Sequence, residues 1–477
     1  MAKTITQNLA DFAVETRWED LPESIVQEIK KVLMEHIGVA IAALSTDKGR
    51  HMVTLGRRLG GTKESSILGA GGKLSCTNAA LVNGELMITL DYQANMSFGH
   101  DGTFIVPSAL AMAESVRASG KELILAMAVG HEISSRLARA AGWHKITPED
   151  IIRLKGVRTH NKNAHSNYGA AAAAGRLLKL DREKMLHTLG TAGRHIDMSL
   201  SSWGEEGAFR GMTKYVVPGW QNTGAVLSAL LAETGYTGDT TILDEPQRMG
   251  WYPDDITVDL GKTWIFNQQL HYKPYPCCGA FHNSMDCFYN IIEKNNLKPE
   301  EIESVKIHGR GGMMGRSPGS GTPSLEEKQR ELENFYAAQF NTPFNFALLA
   351  YRIPRGVEWT DPETRRNPEI LNFMDKVGFQ ADPEFAESTD KAREIDPKVR
   401  PAKVTVTAKG QTITEEIKYR RGDSFTDVYW TQEDAIGKFR HNAERILPDE
   451  NIDVAVKTLL ELETIDTISD LINEITP

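Results

Sequence analysis

Four short polar stretches carry the side chains able to act as acid, base or charge stabiliser. The first, Asp91–His100, holds Asp91, Asn95 and His100 between two helical patterns rich in small residues. The second, His160–Tyr168, places His165 just ahead of an alanine-rich segment. The third, Arg210–Lys214, ends on a lysine and runs into Pro-Gly-Trp. The fourth, Lys273–His282 (KPYPCCGAFH), offers Lys273 and Tyr275. Removing a proton next to a carboxylate needs a base in contact and a cation or hydrogen-bond donor to stabilise the carbanion that forms. Each stretch opens a helix or leads into one, and helix N-termini present free N–H groups that favour anions. Histidines and lysines gathered there make a pocket for carboxylates. Every one of these residues also has a plain structural explanation. Asp91 and His165 fit helix caps, Lys214 a solvated surface lysine, and Tyr275 a packed turn aromatic. Cys277 and Cys278 read as small buried residues, Trp203 and Trp220 as core, and His36, His131 and His195 as structural histidines.

The elements that must hold these groups follow from hydrophobic spacing. Asp20-Leu21-Pro22 opens a helix in which Ile25, Ile29, Val32, Leu33 and Ile37 recur at helical intervals. Further helical patterns cover 79–90, a segment from about Val106 with Pro107 in its first turn, and 121–141. Gly120 reads as the stop of the helix before it. Residues 169–180, 182–198 and 220–234 complete the set, and the alanines of GAAAAAGRLLKL let backbones approach closely. The pattern changes after about residue 265. Residues 304–309, 402–408 and 412–419 alternate as strands, the last two joined by Lys409-Gly410-Gln411 as a hairpin. Helical patterns fall at 284–295 and 328–352, and Gly309–Ser324 reads as a mobile surface loop. Thr431 is a natural N-cap for the helices that follow. The expected fold is mainly α with a smaller α+β domain. A large helical domain is built from both chain ends, residues 1–270 and 429–477, around an inserted α+β lid, residues 271–428.

Composition excludes several function classes. The chain has 477 residues and a net charge of −10, with acidic and basic residues interleaved. No basic stripe tracks a phosphate backbone, so nucleic acid is not an expected partner. Overall acidity does not exclude an anionic substrate, which feels the charge of its pocket. The four cysteines form no CxxC pair and fit a reducing, cytoplasmic setting. No apolar run of signal-peptide or membrane-spanning length occurs, so no membrane partner is expected. GAGGKLS at Gly69–Ser75 fails the phosphate-loop pattern, because Leu74 follows Lys73 and Ile67 stands where the first glycine belongs. No HExxH, EF-hand loop or GxSxG is present, and nothing calls for a metal or a nucleotide.

LVNGELMITLDY, the Gly99-His100 pair, VPSALAMAE, AHSNYGAAAAAGRLLKL, GMTKYVVPGW, KPYPCCGAFH and AAQFNTPFNFALLA (Ala337–Ala350) occur in that order. Together they resemble the MmgE/PrpD family, whose members include dehydratases, decarboxylases and epimerases of small carboxylic acids. The resemblance implies a homodimer, a pocket between the two domains and no required metal or organic cofactor. It also implies site residues. Asp91 matches the aspartate opening a DFDD-type motif, His100 the histidine of an HP-type turn, and His165 the histidine before the alanine-rich helix. Lys214 matches the lysine of a TK motif, and Lys273 and Tyr275 match KxYP. On this basis Asp91 or His100 is the expected base and His165 the expected acid. Lys214 and Lys273 grip substrate carboxylates, Tyr275 donates a hydroxyl, and Asn95 contacts substrate. The expected activity is that of a hydro-lyase on a small hydroxylated di- or tricarboxylate. An epimerase or decarboxylase using the same carbanion chemistry, or a binding protein without activity, are the alternatives. Gln93 and Ala94 replace two acidic residues of the pattern, Asn95 a Thr or Ser, Asp101 a proline and Val217 a histidine. These departures change the pocket's charge and put 2-methylcitrate in doubt as the substrate.

Overall fold

The computed structural model describes residues 3–96, 99–141, 164–196, 211–213, 217–249, 251–309, 322–396, 398–424 and 426–476. The N-terminal segment builds α1 (Ile5–Glu15), α2 (Glu23–Ala43), α3 (Asp47–Leu59), α4 (Cys76–Ile88), α5 (Gly102–Ser115) and α6 (Gly120–Ala140). The apolar pattern opened by Pro22 is α2, and its second half is buried on every side, as the run of small apolar residues requires. After α6 come α7 (Ala164–Leu177), α8 (Arg182–Ala192) and α9 (Pro218–Glu233).

Three local expectations need correction. First, α5 begins at Gly102 rather than near Val106, so Pro107 lies inside the helix. Proline there removes the bond to the carbonyl four residues back. That carbonyl, Thr103 O, instead accepts from Asn222 Nδ2 of α9 at 2.9 Å, so the helix runs on. Second, Gly120 does not end a helix but begins α6 behind a Ser119 cap. Third, α7 starts at Ala164, so His165 is the second residue of the helix rather than ahead of it. The alanine-rich face of α7 crosses α6 very closely. A Cβ added at Gly169 would lie 2.3 Å from Gly130 O, so only glycine permits this approach.

The α+β part carries α10 (His282–Lys294), α11 (Thr342–Ala350) and a four-stranded sheet of order β4-β3-β5-β6. Its strands are β3 (Ile302–Gly309), β4 (Val377–Ala381), β5 (Ala402–Ala408) and β6 (Gln411–Ile417). β5 pairs antiparallel with β6 (Val404 opposite Glu415) and with β3 (Val305 opposite Val406), while β4 joins β3 in parallel. Burial alternates along β5, as a sheet with one face on the core demands. Lys409 and Gly410 both take positive φ in the hairpin turn, and Gln411 is already paired with Ala408. The single helix expected over 328–352 is three short ones, Leu325–Glu331, Phe335–Ala338 and Thr342–Ala350. Asn334 and Asn341 cap the last two and Pro343 restarts the chain at the third. The expected mobile segment falls largely on 310–321, outside the described residues.

Helices α12 (Gln432–Ala443), α13 (Asp449–Leu460) and α14 (Ile468–Glu474) close the chain. Thr431 caps α12 as expected, its hydroxyl accepting from Asp434 N. These helices share one hydrophobic core with α1–α9, and Phe439 of α12 packs on Gly38 of α2. A second core lies between α10, α11 and the sheet. The fold is mainly α with a smaller α+β part. Among the described residues no helix is long and apolar enough to cross a membrane. Trp220, expected in the core, is 65 % exposed at the start of α9, where Gly219 and Gln221 take the inward positions. Trp203 lies outside the described residues.

Candidate active site

Asp91 and Lys273 stand 182 residues apart in sequence, and a two-residue strand pairing draws their segments together. β1 (Asn95–Met96) runs antiparallel to β2 (Leu270–His271), with Asn95 opposite His271. Asp91, just past the end of α4, sits at φ +50° and is fully buried. A non-glycine residue in this region costs energy and persists where its surroundings enforce it. Here the enforcement is visible. Asp91 N donates to Ile88 O at 3.1 Å, and Lys273 Nζ donates to both Asp91 Oδ1 (2.6 Å) and Asp91 O (2.9 Å). Lys273 is 1 % exposed, so this is an ion pair removed from water.

His100 Nδ1 lies 3.9 Å from Asp91 Oδ1 and 2.7 Å from Gln93 Nε2. An amide NH₂ only donates, so with the Gln93 amide placed this way Nδ1 accepts and the ring proton sits on Nε2. The same amide donates to Asn95 Oδ1 at 3.1 Å. Gln93 thus contacts both His100 and Asn95.

Asp101 makes a second buried set. His165 Nε2 lies 2.8 Å from Asp101 Oδ1. Ser134 Oγ donates to that oxygen at 2.9 Å and Ser166 Oγ donates to it as well. Burial opposes the charge on Asp101, but His165 and the two hydroxyls outweigh it and hold the carboxyl below its usual pKa. His165 is therefore held beside a carboxylate on its Nε2 side, with Nδ1 on the far edge of the ring. Two neutral histidines back this set. Burial lowers His131 to about 3 and His36 to about 4. His36 Nε2 occupies the place of a Cβ at Gly102, 2.1 Å from it, so α5 can begin there only with glycine.

Around Lys273 each cation has a carboxylate partner, Asp91 for Lys273 and Asp423 for Arg420. A Cβ at Gly279 would lie 3.7 Å from both Lys273 Cε and Arg420 Nη1 and 3.9 Å from His271 Nε2. His271 is lowered to about 3 by burial, with Arg420 adding to the effect, and its Nδ1 lies 3.1 Å from Asp423 Oδ1. Tyr275 is placed differently. Its hydroxyl donates to Asp286 Oδ1 at 2.9 Å, and its ring stacks on Trp359. Burial pushes its pKa well above the usual phenol value. Lys438 of α12 braces the pair from behind, donating to Tyr92 O (2.6 Å) and Lys273 O (2.9 Å).

Of the residues expected from sequence, Asp91, His100 and Lys273 thus meet directly. Asn95 joins them through Gln93, and His165 is tied to Asp101, the residue after His100. Tyr275 faces Asp286, and Lys214 lies outside the described residues. Gln93 and Asp101 entered the sequence reading only as departures from a pattern. Arg420, His271 and Lys438 gave no local signal, because long-range pairing alone brings them near.

Comparison with known proteins places the chain in a family. The MmgE/PrpD N-terminal domain matches residues 7–253 and the MmgE/PrpD C-terminal domain matches residues 275–462. Cis-aconitate decarboxylase of Mus musculus is 22 % identical over 99 % of this chain and 93 % of its own. The Homo sapiens protein of the same name is also 22 % identical, over 99 % of this chain and 94 % of its own. The cis-aconitate decarboxylase-like protein oryM of Aspergillus oryzae is 20 % identical over 98 % and 96 %. With both family domains matched across most of its length, on the fold and polar sets described above, the chain belongs to the MmgE/PrpD family.

Proposed function

We propose that the protein is a lyase that breaks a bond next to a carboxylate in a small di- or tricarboxylate, by way of a carbanion held as an enediolate. The observation that carries this reading is the buried Asp91–Lys273–His100 set with the Asp101–His165 pair beside it. The names of the relatives make loss of CO₂ from cis-aconitate the reaction to test first. There the C–C bond to one carboxylate breaks and CO₂ leaves. The electron pair moves through the double bond onto the carbon beside a second carboxylate, and one proton is added to that carbon. Lys273, with Lys214 from outside the described residues, is assigned to the developing negative charge. His100, its proton on Nε2, is assigned to deliver the proton.

Dehydration of a hydroxy acid is the second reading, and the two histidines favour it specifically. His165 presents a basic Nδ1 while His100 presents an acidic Nε2–H, the pair needed to take a proton from carbon and give one to a leaving hydroxyl. The Gln93 hydrogen bond and the Asp101 contact thus support His165 as base and His100 as acid, the reverse of the assignment drawn from sequence. The reading includes a homodimer, for which exposed Trp220 and Leu227, seven residues apart on α9, supply an apolar face.

The test is turnover of cis-aconitate, citrate and 2-methylcitrate in deuterated water, followed by NMR and CO₂ release. The expected result is CO₂ with one deuteron in the unsaturated product. His165→Ala and Lys273→Met should each lower kcat by about 10²-fold or more. No turnover across the panel by the folded protein would overturn the reading.

A further inference from the structure

Between α12 and the α+β part lies a cavity of about 580 Å³ that the catalytic set does not use. Its size suits a small ligand. Tyr92, Tyr289, Arg355, Arg421, Trp430 and Lys438 are among its walls. Most of its charged groups are already paired. Arg421 meets Asp434 at 2.7 Å, Arg352 meets Glu293 at 3.1 Å, and Lys438 is bound to Glu35. Arg355 differs. No ion-pair partner for it exists among the described residues, and its guanidinium lies 4.3 Å from the Tyr289 ring centre and 4.8 Å from that of Tyr275. Two aromatic faces hold the planar group still and leave its N–H edge for a planar anion.

One residue on the rim of the same space lends itself to a test. Gly437 lies inside α12 and lines the cavity. Glycine within a helix costs about 1 kcal/mol relative to alanine. Gly437 is exposed, and a Cβ there would meet nothing within 4 Å. No contact within the protein requires the glycine, so a longer side chain at this rim position has room to reach over the cavity.

We propose that this cavity is a second anion site, taking a small organic carboxylate on Arg355. It backs directly onto the catalytic segments. Tyr92 and Pro274 line it, and they follow Asp91 and Lys273 in the chain. Tyr92 OH donates to Arg355 O at 2.9 Å, and Lys438 in its wall holds the carbonyls of Tyr92 and Lys273. The site stands whatever reaction the catalytic set performs.

Citrate is the probe, titrated calorimetrically into the full-length protein. Lys273→Met should leave one citrate site intact. Arg355→Leu should weaken that site at least about tenfold, the loss of a charge-assisted bidentate contact. Because Arg355 touches Tyr275, Gly437→Glu supplies a variant that keeps the fold. It enters open space, favours the helix and puts a carboxylate where the anion would sit. It should weaken the same site by a similar factor. Citrate binding unchanged by Gly437→Glu overturns the proposal, and so does the loss of all citrate binding in Lys273→Met.

Discussion

At the scale of single residues, the site is decided by partners more than by the reactive groups. Aspartate, two histidines and a lysine stand out in the sequence because few residue types take up and release protons near neutrality. Their partners do not stand out. Gln93 reads as a missing acid, yet its amide sets which nitrogen of His100 carries the proton. Asp101 reads as a lost proline, yet it orients His165. A carboxylate at position 93 accepts from Nδ1–H instead of donating to it, so Gln93→Glu reverses the tautomer and favours the imidazolium. In the neutral ring Nε2 then has no proton to deliver, and only the imidazolium can supply one. On turnover of cis-aconitate or another acid found active, Gln93→Glu should lower kcat about 10- to 100-fold and move the pH–rate profile upward. Gln93→Leu should lower kcat without that shift. Identical profiles for the two variants would show that position 93 acts only through packing.

At the scale of elements, what was legible was what repeats. The period of α2, the alternation of β5 and β6, and the Thr431 cap all carry local signals that the fold obeys. The failures are places where a distant residue changes a local outcome. Asn222 satisfies the carbonyl freed by Pro107, so α5 begins earlier than a proline rule allows. β4 has no alternation to read and exists because β3 offers it an edge. The alanine-rich helix shows a local signal with a non-local purpose. Gly169 touches Gly130 O in α6, and His165 lies four residues earlier on the same face of α7. A methyl group at 169 must push α7 away from α6, and His165 moves with it. Gly169→Ala should destabilise the protein by about 1–3 kcal/mol, the range for overpacking a tight contact. It should also lower kcat more than it raises KM, since the proposed base is displaced while the proposed carboxylate grip at Lys273 is not. Thermal unfolding and steady-state kinetics on the same preparation check both. A variant with an unchanged thermal midpoint would mean that the crossing has slack.

At the scale of the whole molecule, the Asp91–Lys273 pair depends on how the α+β part is seated on the helices, because Asp91 comes from one and Lys273 from the junction with the other. The α+β segmentation is visible as a change of period, but the bonds across the junction are not, since each joins residues remote in sequence. Gln339 Nε2 donates to Thr89 O at 3.0 Å next to the end of α4, and Tyr92 reaches Arg355 O. A charged cluster adds a pH-dependent contact. His441 of α12 lies 3.0 Å from Glu358 Oε2 and 2.9 Å from Glu444 Oε1, while Arg445 meets Glu358 at 2.9 Å and Asp361 at 2.8 Å. The hydrogen bond to Glu358 raises the pKa of His441 above its usual 6.5, against partial desolvation. A raised histidine favours the protonated folded state. Its contribution is complete below about pH 6.5 and disappears as pH climbs through the higher folded value. Glu358 is held below the usual carboxylate range, because His441 and Arg445 outweigh its burial, so it stays charged over that window. For a half-buried pair the contribution is about 0.5–1 kcal/mol after solvent screening. His441→Gln should therefore cost stability at about pH 6 and almost none at about pH 9, read from thermal midpoints of variant and parent at each pH. An equal cost at both values would mean that His441 serves the junction by shape alone and that its charge does not help seat the α+β part.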